Sequence, residues 1–210
     1  MKRYLHKTPI WIQKMYPNFL WQVDTTKKEL FLTFDDGPIP EITEFVLEEL
    51  NKVEAKGTFF CVGENLEKNP DLSRRLVNEG HVIGNHTHNH LKGWQTANYS
   101  YWRNVLKCEH LIEEIQGSKK LFRPPYGRIK RSQAAALSRF EVVMWNRLSW
   151  DFGKNLDIEL AKKHLMDVTP GSVVVFHDNI KSFKNLKQLL PFILSYYSKE
   201  GWEMKALGDR

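Results

Sequence analysis

Glu29-Leu30-Phe31-Leu32-Thr33-Phe34-Asp35-Asp36-Gly37-Pro38 is the stretch that decides the fold. Its first six residues, Glu29 to Phe34, are apolar or β-branched in all but one position and read as a strand. Two acids and a Gly-Pro turn follow at once, so the strand ends abruptly in charge. Ile42, Phe45, Val46, Leu50 and Val53 then recur at helical spacing. A strand, a polar turn and an amphipathic helix make one unit of a parallel α/β protein.

The unit repeats along the chain. Thr58 to Val62 and His81 to Gly84 read as strands, with a helix between them that starts at Asn69-Pro70 and stops at Gly80. There Asn69 is expected to cap with its side chain, and proline at the first helical position costs no hydrogen bond. A long helix is expected from Tyr99 to Ile115, then a short strand at Leu121 and Phe122, and a helix over Lys130 to Arg139. Glu141 to Trp145 is the next strand, Asp157 to Val168 the next helix. Ser172 to Phe176 is almost purely apolar, the pattern of a strand buried on both faces. A helix over Phe183 to Ser198 and a strand around Trp202 to Met204 close the series. About seven alternations allow an open doubly wound sheet or a closed or partly closed β/α barrel.

Composition sets the bounds. With 210 residues, 41% apolar and 27% charged, the chain is of single-domain size and globular in balance. No run approaches the roughly 18 apolar residues of a transmembrane helix. A net charge of +6 permits an anionic partner without requiring one. No basic stripe interleaved with aromatics points to nucleic acid. Cys61 and Cys108 are too few for a disulfide framework and are expected to be two buried thiols. Met1-Lys2-Arg3 is followed by a stretch broken at His6, Lys7 and Pro9, so no secretion signal is read there. The default expectation is a cytoplasmic monomer, with the cell envelope or export by another route as alternatives. Trp11, Tyr16, Phe19 and Trp21 make residues 1–28 a segment expected to pack on a domain spanning 29–207.

Both candidate architectures place chemistry at the carboxyl ends of the strands, and the residues found there are polar. Asp35-Asp36 follows the first strand, His86 and His90 the third, Arg123-Pro124-Pro125-Tyr126-Gly127 the fourth, Trp150-Asp151 the fifth, and His177 the apolar one. Taken singly each has a plain reading: a turn, two solvated histidines, a surface arginine, a core histidine. Together, His86 and His90, four apart, can grip one ion with Asp36. Two imidazoles and one carboxylate with open positions suit a catalytic zinc rather than a structural one. Arg123 would keep a carboxylate ionised, and the prolines after it aim the Tyr126 N–H at a developing oxyanion. His177 is a candidate proton donor oriented by Asp151. Trp94 and Trp150 are candidate platforms for a sugar ring.

In order, Thr33-Phe34-Asp35-Asp36-Gly37-Pro38, His86-Thr87-His88-Asn89-His90, Arg123-Pro124-Pro125-Tyr126-Gly127, Asp151 and Val175-Phe176-His177 resemble the motifs of the polysaccharide deacetylase family, also called the NodB-homology or carbohydrate esterase family 4 domain. The resemblance implies a distorted, incomplete (β/α) barrel of about seven parallel strands. It implies hydrolysis of N-acetyl groups on N-acetylglucosamine polymers such as chitin or peptidoglycan, with a divalent metal, zinc first and Co2+, Ni2+ or Mn2+ as alternatives. It assigns Asp35 as general base, Asp36, His86 and His90 as metal ligands, and Arg123 as the residue that positions the base. Tyr126 becomes the oxyanion donor and His177 the acid, with Asp151 its partner. Pro125 and Val175 fall at the substrate pocket with Trp94 and Trp150. Three positions depart from the pattern: Leu148 stands for an acid, Phe152 for a tryptophan and Val175 for a leucine. Rival readings are a hydrolase of a small non-peptide amide or of an acetyl ester, as on xylan, and a sugar-binding barrel without turnover.

Overall fold

The computed structural model describes residues 6–209. Its elements in chain order are α1 (Ile10–Met15), β1 (Glu29–Asp35), α2 (Ile42–Asn51), β2 (Gly57–Cys61), α3 (Gly63–Lys68), α4 (Pro70–Asn78), β3 (Val82–Asn85), α5 (Asn98–Gln116), β4 (Leu121–Phe122), α6 (Arg131–Ala136), β5 (Glu141–Val142), β6 (Arg147–Leu148), α7 (Ile158–Met166), β7 (Ser172–His177), α8 (Phe183–Lys199) and β8 (Glu203–Met204).

The strands pair in the order β5-β4-β3-β2-β1-β7-β6, all parallel, with β8 beside the start of β1. The sheet curls into a half-barrel, the architecture expected from the resemblance. Alternation along β1 shows why it can curl. Leu30, Leu32 and Phe34 face the helices and join the main core with Val46, Leu50, Leu189 and Ile193. Phe31 faces the interior with Phe60, Val82, Leu121, Val143 and Val173. Apolar side chains on both faces need cover on both, and burying each contributes about 1.5–3 kcal/mol.

Among the described residues β5 and β6 are not paired with each other, and the amino-terminal chain occupies that seam. Leu20 bridges Val143, Lys7 bridges Arg147, and the Leu148 N–H donates to the His6 carbonyl. Trp21 packs with Tyr101, Phe122 and Phe140. Two open strand edges are thereby covered.

Several sequence expectations shift. The strand expected over Glu141 to Trp145 is shorter; beyond it the Val143 N–H still donates to the Phe122 carbonyl of β4, and the free edge of the segment takes Leu20. The helices α1 and α3 and the strand β6 carried no clear periodicity, because each is six residues or fewer. Asn69 stands at the helix start, but its side chain makes no cap; it donates instead to the carbonyls of Pro38 and Asn65. Cys61 and Cys108 are free and buried, as expected.

Candidate active site

Parallel register brings the carboxyl ends level. Asp35 lies opposite Phe60 and His177, and Asn85 opposite Phe122, one residue before Arg123. Four of the loops that follow strands thus open on the same rim. Their backbones are forced: Asp36, Thr87, His90, Tyr126 and Trp150 all have positive φ, between 52° and 88°. Each such residue costs of order 1–3 kcal/mol, which the surrounding fold must offset.

Arg123 is wholly buried under the rim. Its guanidinium donates to Asp35 Oδ1 and Thr33 Oγ1, both at 2.7 Å, and to the carbonyls of Val143 at 3.1 Å and Met144 at 3.0 Å. It also lies 4.1 Å from the centre of the Phe60 ring. Burial lowers the Arg123 pKa, while the Asp35 charge opposes that shift. Removing one partner of such a buried pair typically costs about 3–5 kcal/mol.

Asp36, His86 and His90 come together, with ligand atoms within 4.8 Å of one another. His86 Nε2 is 3.6 Å and His90 Nε2 3.1 Å from Asp36 Oδ1. His90 approaches off the line of a hydrogen bond, so Oδ1 is a buried acceptor without a bonded partner among the described residues. Burial pushes the Asp36 pKa up, but contact with His90 and the charges of His86, His177 and His90 outweigh it and hold the carboxyl well below the usual range. His86 Nδ1 lies 2.8 Å from the Arg123 carbonyl. A carbonyl only accepts, so Nδ1 carries the proton and Nε2 offers its lone pair. Burial lowers the His86 pKa to about 4, against the pull of Asp35, which keeps the ring neutral and ready to ligate. An orphaned carboxylate oxygen facing two imidazoles is a donor set that fits a divalent cation.

His177 stands across Asp35 from this cluster. Its Nδ1 is 2.8 Å from Asp151 Oδ1, and its N–H donates to Asp151 Oδ2 at 2.7 Å. Burial lowers the His177 pKa, but the Asp151 charge and hydrogen bond overcome it and raise the value to about 9. Asp151 is itself wholly buried, and its carbonyl accepts from the Asn185 side chain at 2.7 Å.

The other sequence candidates fall in different places. Tyr126 is exposed, its ring 4.8 Å from that of His90. Pro125 is buried and opens the turn Pro125–Gly127. Trp150 is half-buried with its ring 5.0 Å from Phe152, which meets His177 edge-on. Val175 is buried in β7 beside Thr33 and Leu148. Trp94 is exposed; its indole N–H donates to the Ile129 carbonyl, and Arg128 lies over its ring at 5.1 Å. Among the described residues, its hydrogen bond and ring contact join Trp94 to Ile129 and Arg128 rather than to the histidine cluster. His88 points away from it, toward Lys107 and Glu67.

Sequence reading missed the residues that brace Asp36. Its carbonyl accepts from Asn65 at 2.7 Å, and its Oδ2 accepts from Asn179. Asp178 accepts from the Gly37 N–H at 3.0 Å and the Thr43 hydroxyl at 2.6 Å, and burial raises its pKa to about 8. A Cβ at Gly37 would lie 1.9 Å from Asp178 Oδ2, so glycine is required there. The one available signal was position, since Asp178 and Asn179 directly follow His177 at a strand end.

A curled parallel sheet whose carboxyl ends gather three imidazoles, three carboxylates and a guanidinium defines a barrel-derived α/β protein with a candidate metal centre. The profile of the polysaccharide deacetylase family matches residues 22–145, and the chain belongs to that family. A peptidoglycan-N-acetylglucosamine deacetylase of Bacillus cereus is 36% identical over 171 residues, covering 80% of this chain and 61% of that protein. This chain therefore spans about three fifths of that relative's length. A second deacetylase of the same name and organism is 30% identical over 197 residues, covering 90% of this chain and 91% of that one. A solved peptidoglycan N-acetylglucosamine deacetylase in complex with 4-naphthalen-1-yl-N-oxidanyl-benzamide superposes with a TM-score of 0.86 at 31% identity, covering 96% of each chain. Among the described residues no helix is long and apolar enough to cross a membrane.

Proposed function

We propose that this protein removes N-acetyl groups from N-acetylglucosamine residues of peptidoglycan or a related polymer, releasing acetate. The observation that carries the reading is the meeting of three units on one rim: Asp35 with Arg123, Asp36 with His86 and His90, and His177 with Asp151. The named relatives favour peptidoglycan over chitin. The solved relative's ligand is by its chemistry a hydroxamic acid, a group that chelates divalent ions.

Asp36, His86 and His90 would hold the ion, and zinc suits two imidazoles and a carboxylate best, with Co2+, Ni2+ or Mn2+ as alternatives. Bound there, it supplies Lewis acidity, which in favourable sites brings the pKa of water from about 15.7 to about 7. The chain's own residues do the rest. Asp35, held in place by the Arg123 guanidinium, accepts a proton from the attacking water. The Tyr126 N–H, held in its turn by the two prolines before it, donates to the carbonyl oxygen as negative charge develops on it. His177, protonated through its bond to Asp151, gives its proton to the departing amine nitrogen as the C–N bond breaks. Pro125, Val175 and Trp150 shape the pocket around the acyl group and sugar.

The test is acetate release from an N-acetylglucosamine oligomer and from a peptidoglycan fragment by zinc-loaded protein. Release is expected, and Asp35→Asn should lower it by about 10²–10⁴-fold while retaining the metal. No release from either substrate, or an Asp35→Asn variant as active as the parent, overturns the reading.

A further inference from the structure

Asp36 has two carboxylate oxygens with different surroundings. Oδ1 is buried and faces His86 Nε2 and His90 Nε2. Oδ2 accepts a hydrogen bond from the side-chain amide of Asn179, two residues beyond His177 on the neighbouring strand end. The amide cannot be turned round. Its Oδ1 accepts from the Ser182 N–H at 2.9 Å, ahead of α8, so its Nδ2 is the atom left for Asp36.

The backbones beneath are tied as well. The Asp178 N–H donates to the Asp35 carbonyl at 3.1 Å, and the Asp178 carboxylate takes the Gly37 N–H at 3.0 Å. The turn after β1 and the turn after β7 are therefore one hydrogen-bonded unit. The carbonyl of Asn179 is also held, by the Ser182 and Phe183 N–H groups. Asn179 thus reaches Asp36 from a fixed base.

We propose that Asn179 is a positioning residue which commits Asp36 to bind the metal through Oδ1 alone. With Oδ2 occupied by an amide hydrogen, the carboxylate can offer one oxygen rather than both. Coordination positions then stay open for water and the substrate carbonyl, as a catalytic site requires. Without the amide, Asp36 is free to rotate or to chelate with both oxygens. The inference rests on the metal-dependent reading above.

Two variants test it. Asn179→Ala removes both the amide donor and the acceptor for the Ser182 N–H. Asn179→Ser keeps a short acceptor for that N–H, as serine does at helix starts, but does not reach Asp36. Zinc affinity is read by competition with a chromophoric chelator, and folding by thermal melting of the metal-free proteins. Both variants should bind zinc about 10–100-fold more weakly, the usual range for loss of a group that orients a ligand. The Co2+-loaded Asn179→Ser protein should show weaker visible absorption than the parent, because Asp36 then adds a second oxygen to the ion. An Asn179→Ser variant that binds zinc within about threefold of the parent, with an unchanged cobalt spectrum, overturns the proposal. A parent protein that fails to bind zinc at all overturns the metal-dependent reading on which it stands.

Discussion

His86 and His177 are two imidazoles at the same rim, the first buried and the second half-buried, on opposite sides of Asp35, and one is neutral while the other is cationic. Each hydrogen bonds through Nδ1 at 2.8 Å. For His86 the partner is the Arg123 carbonyl, which fixes the tautomer but adds no full charge, so burial dominates and the pKa falls to about 4. For His177 the partner is the Asp151 carboxylate, whose charge overcomes burial and lifts the pKa to about 9. The lesson is that burial does not set a histidine's role; the atom on its second nitrogen does. One side of the site offers a lone pair to a cation, and the other holds a proton ready to give.

This division can be broken by substitution, the largest effect first. His86→Ala should lose zinc and bring acetate release down to the background rate, while His177→Ala should keep zinc and lose about 10²–10⁴-fold in rate. Zinc content by metal analysis, read beside the rate, separates them; equal zinc loss in both would erase the distinction. A smaller change comes from Asp151→Asn, which removes the charge but not the shape. The His177 pKa should fall from about 9 toward its ordinary 6.5, moving the alkaline limb of the pH–rate profile down with it. At pH near 7.5 that leaves about a tenth of the ring protonated, and so about a tenfold lower rate.

The same substitution has a stability signature. Because His177 is raised in the folded state, its bond to Asp151 contributes fully below about 6.5 and is lost as pH rises through about 9. The melting temperatures of parent and Asp151→Asn should therefore converge over that range; a gap that widens with pH would contradict the assignment. The smallest effect is expected from Trp94→Ala. Trp94 is exposed and packs on Arg128 rather than on either half of the site. Its loss should change stability by no more than about 0.5 kcal/mol and leave KM for oligosaccharide within about threefold. A larger rise in KM would restore Trp94 as a sugar platform.

Much of this site was legible because parallel sheets advertise their rims. Apolar runs such as Ser172 to Phe176 mark strands buried on both faces, and whatever polar residue follows each one must lie at the carboxyl end. That reading found Asp35, Asp36, His86, His90, Arg123, Asp151 and His177, and the structure brings all seven to one rim. It failed where the local pattern is too short to carry a period, as at α3 and β6. Trp94 was drawn in by residue type alone, whereas its indole is spent on the Ile129 carbonyl.

What the sequence by itself determined is the inventory: an alternating α/β chain, and the residue types that end each strand. The physical reason is that strand periodicity and turn chemistry are local, acting over a few neighbouring residues. What only the tertiary structure decided is how each group is charged and aimed. The partner of His86 lies 37 residues away and that of His177 26 residues away, and the amide that turns Asp36 comes from 143 residues further along the chain. Protonation and orientation depend on which dipole or charge sits within about 3 Å of an atom, and that is settled by the curl of the sheet rather than by any neighbour in sequence.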